Sequence, residues 1–313
     1  MTSMNKVAIL DCDFGQGEIE SEILDHHGLS LVLGQASTEG ESIDTGLDCV
    51  GLICQYAPVT AKVANSLPNL KAVVRYGVGL DNIDVEGLRD RGIAVSGVPD
   101  YCTMEVADHC LALTLSLLRS IPQASESVRA GGWPLPHDIR NLHTLAGKTV
   151  GLVGFGRIAQ EVAKRFHGFG CSLVSYDPYV SPEVFQSSGV TPVDLPTSLR
   201  ADIVSLHLPL NAETRHLVNS RTLAEMSPGV FLVNVSRGDL VDEEALVDAL
   251  DSGHVAGFAA DVVVPEGAGN PLAMRNDVIV TPHVAYFSPS SLLRLRRRAA
   301  ETMVALLSEK EAR

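Results

Sequence analysis

The sequence is short of positive charge. Its 313 residues carry 24 lysines and arginines against 38 acidic residues, a formal net charge of −14. A field of that sign repels phosphate backbones and anionic lipid, so no nucleic-acid and no membrane partner is expected. An anionic substrate then needs a local basic pocket. Cysteines are few and scattered: Cys12, Cys49, Cys54, Cys102, Cys110 and Cys171 form no C-x-x-C pair. That pattern reads as reduced thiols in the cytoplasm, not as a disulfide framework or a metal cluster. His26-His27 has no third ligand nearby, and no metal site is expected. No apolar run reaches membrane length; the longest helical one, 110–118, is far too short. The opening MTSMNKVAILD enters a strand at once, which leaves no room for a targeting leader. There is no internal repeat and no low-complexity tract.

What is present is ordinary globular material, 45% hydrophobic and 20% charged, in a chain long enough for two domains. Continuous β-branched runs at 7–10, 29–33, 49–54, 70–74 and 93–95 predict strands buried on both faces. Helical patterns between them predict parallel βαβ units. A second α/β pattern has its runs at 149–153, 172–176, 203–208, 230–235, 256–260 and 278–280. Between the two, TMEVADHCLALTLSLLRS is apolar nearly all round from Val106 to Leu118, which predicts burial at a domain or subunit interface. The segment 131–147, with two prolines and the only tryptophan, reads as a connecting arm. Ser288-Pro289 predicts a helix start, hydroxyl as cap and proline first, on a helix reaching about 307 with Leu292, Leu295, Ala299, Met303 and Leu306 on one face. The arginines of LRLRRRAA on that helix, Arg294, Arg296, Arg297 and Arg298, predict a solvated face with an Arg297–Glu301 pair. The alternative is that one of them turns toward an extra anionic group of a substrate.

TVGLVGFGRIAQEVAKRFHGFG carries the first chemical signal: a strand meets Gly154-x-Gly156-x-x-Ala159 and becomes a helix. The first glycine permits a tight turn, the second lets a pyrophosphate approach the backbone, and the small third residue lets helix and strand pack closely. The helix N-terminus offers unpaired N–H groups to phosphate. Asp177 stands at the end of the next strand, 23 residues past Gly154. A carboxylate there accepts both ribose hydroxyls and repels a 2′-phosphate, so NAD is favoured over NADP. Without a ligand the same stretch is simply a packed α/β turn.

Three further strand ends carry charge. Arg237 follows the strand at 230–235, Asp261 and Glu266 follow 256–260, and His283 follows 278–280, with Asp242 reading as the cap of a helix. Ligands of open α/β sheets bind at that carboxyl edge. An imidazole beside a carboxylate is held in one orientation with its cationic form favoured, which suits a proton donor. Glu266 would do this for His283, and Arg237 would bind an anion and polarise its carbonyl. Each of the three also has a purely structural reading when taken singly. His109, inside the apolar helix, reads as a satisfied buried histidine. Ser236 has no base beside it in any motif, so a hydrolase is not supported.

The blocks VVRYGVGLDNID (73–84), GVPDYCTMEVADH (97–109), TVGLVGFGRIAQ (149–160), SLHLPLNAETRHLV (205–218), FLVNVSRGDLVDEEAL (231–246), DVVVPE (261–266) and TPHVAYFS (281–288) resemble the D-isomer-specific 2-hydroxyacid dehydrogenase family. They occur in family order across nearly the whole chain. RYGVGLDNID and TPHVAYFS are most similar to its C-terminal-binding-protein branch. The resemblance implies two doubly wound parallel-sheet domains, a Rossmann NAD-binding domain at 101–284 inserted in a flavodoxin-like substrate domain formed by 1–100 and 285–313. It makes Arg237, Glu266 and His283 catalytic. It places Arg75, Gly77, Val78 and Gly79 around the substrate carboxylate, with Tyr286, Tyr101 and Cys102 as candidates for the side-chain pocket. Val78, Gly154, Phe155, Gly156, Arg157, Ile158, Asp177, Leu208, Pro209, Thr214, Val235, Ser236 and Asp261 would line NAD together with Arg237 and His283, Asp261 meeting the nicotinamide amide. A homodimer through 103–147 is also implied. Two departures stand out: the family's frequent Glu-Pro is Glu266-Gly267 here, a looser loop, and the third glycine of the fingerprint is Ala159.

The expected reaction is hydride transfer between nicotinamide and C2 of a small 2-keto or 2-hydroxy acid. Members acting on 3-phosphoglycerate carry arginines in the loop that reads CQYAPVT (54–60) here, so a non-phosphorylated substrate is expected. Two other readings remain open: an NAD(H)-sensing, corepressor-like binding module, and a phosphite- or formate-type dehydrogenase of the same fold.

Overall fold

The computed structural model describes residues 5–133, 142–267 and 269–311; residues 1–4 and the 134–141 part of the expected arm and dimer contact lie outside them. In chain order the first elements are β1 (Asn5–Ile9), α1 (Glu18–His26), β2 (Leu29–Leu33), α2 (Glu39–Gly46), β3 (Cys49–Cys54), α3 (Ala61–Ser66), β4 (Ala72–Arg75), α4 (Val85–Asp90) and β5 (Ala94–Ser96). Then come α5 (Thr103–Leu118), α6 (Ile121–Arg129), β6 (Thr149–Val153), α7 (Arg157–Gly168), β7 (Ser172–Tyr176), α8 (Pro182–Ser188), β8 (Thr191–Pro192) and α9 (Leu195–Leu199). The rest are β9 (Ile203–Leu206), α10 (Ser220–Glu225), β10 (Val230–Asn234), α11 (Glu243–Asp251), β11 (Val255–Ala260), β12 (Val278–Val280) and α12 (Pro289–Glu311).

Two compact units result, Met1–Cys102 with Phe287–Arg313, and Thr103–Tyr286. The first holds a parallel sheet in the order β2-β1-β3-β4-β5, the second a parallel sheet in the order β12-β11-β10-β9-β6-β7-β8. Both are doubly wound. β3 is buried along its whole length, as its unbroken apolar run requires. In the first unit α12 lies on β3 and β4, and Gly51 makes room for it: a Cβ there would sit 2.5 Å from Met303 Sδ. Strand order reverses between β1 and β3 in one sheet and between β6 and β9 in the other, the positions where such sheets bind ligands.

Several sequence expectations need correction. The apolar helix α5 is buried by its own unit: Ala107, Cys110, Leu113 and Leu117 face α7 and the sheet, and no second domain or subunit is needed to explain them. The buried stripe of α12 runs through Leu295, Ala299, Met303 and Leu307, not Leu306, and includes Ala300 and Arg296. Arg296 is therefore not on a solvated face. It is 8% exposed and bonded to Glu20, which is fully buried. Arg297 forms no ion pair with Glu301 among the described residues. β8 had no sequence signal, being two residues long. No helix among the described residues is long and apolar enough to cross a membrane.

Candidate active site

In the second unit the loops that follow successive parallel strands share one sheet edge, and most of the singled-out residues sit on them. After β6 the chain turns at Gly154, whose φ of +92° favours glycine. A Cβ there would meet His207 O at 2.5 Å, so this glycine is required twice over. Gly156 caps α7 without any side-chain cap, and nothing lies within 4 Å of where its Cβ would be. The first N–H groups of α7 thus face open space, as a phosphate site needs. Phe155 contributes backbone only; its ring is buried and stacked on Phe185 at 4.8 Å. Ile158 packs partly into the core and Ala159 fully, while Arg157 is exposed.

Asp177, after β7, accepts the Phe155 N–H at 2.8 Å through Oδ2 and the Tyr179 N–H at 2.9 Å through Oδ1. Its carboxylate is thus fixed against the glycine loop. After β9, His207 donates its N–H to Val153 O at 2.8 Å, and its Nε2 lies 2.9 Å from Ser205 Oγ. Burial lowers this imidazole to about 4, so it carries no charge at neutral pH. Leu208 is half-buried and Pro209 exposed; Thr214 closes their loop by donating to Pro209 O at 2.6 Å.

After β10, Val235 and Ser236 are half-buried, and Ser236 Oγ donates to Leu206 O at 2.7 Å. Arg237 Nη1 donates to Ser236 O at 2.7 Å. Asn234, a residue the sequence did not single out, is fully buried and clamps this loop: its Oδ1 accepts the Ser236 N–H and its Nδ2 donates to Arg237 O. Only its place ahead of Val-Ser-Arg-Gly hinted at such a role.

After β11 and β12 stand the carboxylates and the histidine. His283 Nδ1 lies 3.0 Å from Glu266 Oε1, and the Tyr286 ring meets the imidazole edge-on at 6.1 Å. A cavity of about 270 Å³ opens here, bordered by Asp261, Val263, Glu266, Thr281 and His283. The loop of Glu266-Gly267 is tied from outside: Glu243 accepts the Val264 N–H at 2.6 Å and the Asn270 amide at 3.0 Å. Neither Glu243 nor the buried Asn270 was legible in advance. Asp261 is 2% exposed, and its carboxylate accepts the Val284 and Ala285 N–H groups of the loop after β12. His109 is half-buried and bonded to Thr281 Oγ1 at 2.9 Å.

The first unit holds the other candidates. Arg75 ends β4 and its Nε donates to Gln55 O at 3.2 Å; Gly77 follows at φ +147°. Val78 is exposed, Gly79 half-buried, and Tyr101 and Cys102 are buried. Asp11 holds the loop after β3: its carboxylate accepts the N–H groups of Gln55, Tyr56 and Ala57 at 2.8, 2.6 and 3.1 Å. The Gln55 side chain in turn bonds Asp13.

Comparison with known proteins identifies the family and the fold. The family described as D-isomer-specific 2-hydroxyacid dehydrogenase, NAD binding domain, matches residues 111–285. A D-3-phosphoglycerate dehydrogenase of Methanocaldococcus jannaschii is 40% identical over 250 residues, 79% of this chain and 46% of that protein. Among solved structures, the TT0316 protein of Thermus thermophilus superposes with a TM-score of 0.86 at 34% identity, covering 97% of each chain. D-Lactate dehydrogenase of Aquifex aeolicus, complexed with NAD and lactic acid, superposes at 0.85 with 26% identity, covering 97% of this chain and 96% of that one. The chain spans about half the length of the curated relatives it matches.

Proposed function

The chain belongs to the D-isomer-specific 2-hydroxyacid dehydrogenase family, and from that premise we propose that it interconverts a small, non-phosphorylated 2-keto acid and its 2-hydroxy acid with NAD(H). The observation that carries the reading is the 3.0 Å contact between His283 Nδ1 and Glu266 Oε1 at the sheet edge that also bears the glycine loop. Nδ1 is bonded to the acid, so Nε2 is the nitrogen left to give a proton to, or take one from, the substrate oxygen. Glu266 offsets the charge on the imidazolium. Arg237 binds the substrate carboxylate, and Arg75 and the Gly77-Val78-Gly79 backbone are the first unit's candidates for the same role.

The open N-terminus of α7 and the turn at Gly154 fit the pyrophosphate of a dinucleotide, with Leu208, Pro209, Thr214, Val235 and Ser236 along its length. Asp177 fits a ribose with a free 2′-hydroxyl and opposes a 2′-phosphate, hence NAD over NADP. When bound, the nicotinamide supplies or takes the hydride. Absence of phosphate on the substrate is supported by the loop after β3. It offers Gln55 and Tyr56, and its N–H groups are already filled by the Asp11 carboxylate. A second copy of the chain is the proposed partner. α6 has no buried residue, and Ile121, Val128 and Trp133 stand exposed. Six free thiols suit a reducing compartment, and we place the protein in the cytoplasm.

The test is NADH consumption with a panel of 2-keto acids. His283→Gln should lower kcat by roughly 10²- to 10⁴-fold while NADH affinity holds. Equal losses in both would overturn the assignment. Binding of NADH without turnover of any keto acid would favour a sensor instead.

A further inference from the structure

Three side chains with no step in the proposed reaction line up beneath His283. The first is His109 on α5, the second Thr281 just past β12, the third Asp261 just past β11. Thr281 Oγ1 lies 2.5 Å from Asp261 Oδ1 and 2.9 Å from His109 Nε2. A hydroxyl has one proton, and an anionic acceptor so close takes it. Toward His109 the hydroxyl is therefore the acceptor, which assigns the proton to Nε2. The same nitrogen sits 3.6 Å from Asp261 Oδ1. Two groups thus orient one buried carboxylate.

That carboxylate holds the segment carrying His283. Oδ1 accepts the Val284 N–H at 2.9 Å and Oδ2 the Ala285 N–H at 2.8 Å, while the Asp261 backbone carbonyl accepts the His283 N–H at 2.9 Å. His283 itself has a φ of +53°, in the left-handed region that a residue with a Cβ enters only under constraint. Such a conformation persists only where neighbours over-determine it, and three N–H groups in succession meeting one aspartate do so. The ring direction of His283 follows from that backbone. The Glu266 contact fixes the ring's rotation, but it cannot fix where the Cα–Cβ bond points.

We propose that His109 and Thr281 are positioning residues for His283, acting through Asp261 to hold the left-handed backbone that aims the imidazole. The proposal rests on the reading of His283 as the group that moves the proton. It leaves Oδ2 of Asp261 with one accepting site to spare, so an amide of the cofactor is not displaced.

The experiment uses the full chain, the four single variants His109→Leu, His109→Gln, Thr281→Val and Thr281→Ser, and the double variant His109→Leu/Thr281→Val. Two readouts are taken: kcat and KM for NADH and keto acid, and hydrogen exchange of the Val284 and Ala285 amides. His109→Leu and Thr281→Val should lower kcat roughly 10- to 100-fold, the cost of a small misplacement, with KM for NADH unchanged and faster exchange at both amides. His109→Gln, whose amide can donate as Nε2 does, and Thr281→Ser should recover most of both. The double variant His109→Leu/Thr281→Val should lose less than the two single losses combined, because both groups act on the same Asp261 oxygen. Unchanged kcat in His109→Leu overturns the proposal, and so does His109→Gln behaving like His109→Leu. If the wild-type chain reduces no 2-keto acid, the functional reading fails on that result alone. The exchange rates then decide this inference: equal protection at Val284 and Ala285 in wild type and His109→Leu rejects it.

Discussion

The two units are built on the same parallel plan, but the first buries a charged pair in its helix joint where the second relies on apolar side chains. The unit made from both ends of the chain joins α1 to α12 with charge. Arg296 Nε and Nη2 donate to Glu20 Oε1 and Oε2 at 2.9 and 2.8 Å, Nη2 reaches Glu18 at 3.1 Å, and the Tyr76 hydroxyl donates to Glu20 at 2.8 Å. Glu20 strengthens the hold of Arg296 on its proton, and burial together with Glu20 keeps the Tyr76 hydroxyl protonated well above its ordinary range. In the continuous unit α5 is sealed onto α7 and the sheet by Ala107, Cys110, Leu113 and Leu117, and the Arg165–Asp108 bridge that also joins the two helices, at 2.6 Å, lies at the surface with Asp108 71% exposed. An apolar seal tolerates sliding by a turn; a two-pronged guanidinium–carboxylate pair does not. A helix that returns from the far end of the chain needs a contact that accepts one register, whereas a helix that directly precedes its own sheet is placed by connectivity.

Breaking the charged seal on one side should give the largest effect. Arg296→Met leaves Glu20 buried without its counter-charge, at a cost of about 3–5 kcal/mol. Calorimetry should show the first unit melting ahead of the second. Replacing the whole cluster, Glu20→Leu with Arg296→Met and Tyr76→Phe, should return stability close to wild type, because no buried polar group is then stranded. A single transition that shifts as one in Arg296→Met would show that the seal does not belong to the first unit alone.

The next effect sharpens the same contrast within the first unit. Asp11→Ala removes the acceptor of three backbone N–H groups at once. Hydrogen bonds to a charged acceptor are strong but these donors regain water, so we expect a loss of about 2–3 kcal/mol, read from the urea midpoint of the first transition. The counterpart in the second unit is a helix cap. Asp242 accepts the Ala245 N–H at 3.2 Å at the head of α11, and Asp242→Ala should cost about 1 kcal/mol, confined to the second transition.

These residues also show where sequence reading succeeds. Asp242 and Ser288 were legible as caps, and Ser288 Oγ does accept the Ser291 N–H at 2.9 Å, because a cap is a local signal of one residue at a helix start. The strand runs at 49–54, 149–153 and 278–280 were legible to the residue because burial on both faces leaves an unbroken apolar run. The glycine loop was legible because turn geometry demands those glycines. Asp11, Asn234, Glu243 and the grip of Asp261 on Val284 and Ala285 were not. Each is a polar residue serving a loop on another strand or helix, or a loop just beyond its own strand, and such a contact leaves no period in the sequence. Arg296 and Glu20, 276 positions apart, are the extreme case.

The smallest effect is expected one residue away from the largest. Arg296 and Arg297 lie side by side in LRLRRRAA, and composition cannot tell them apart. A step of about 100° around the helix separates them: Arg296 points into the joint with α1, and Arg297 is exposed with no ion pair to Glu301. Arg297→Ala should therefore stay within about 0.5 kcal/mol of wild type, by the same calorimetric measure that detects Arg296→Met. A loss in Arg297→Ala as large as in Arg296→Met would mean that the basic run stabilises α12 as a charged face. In that case the single buried pair would not be what distinguishes the two units.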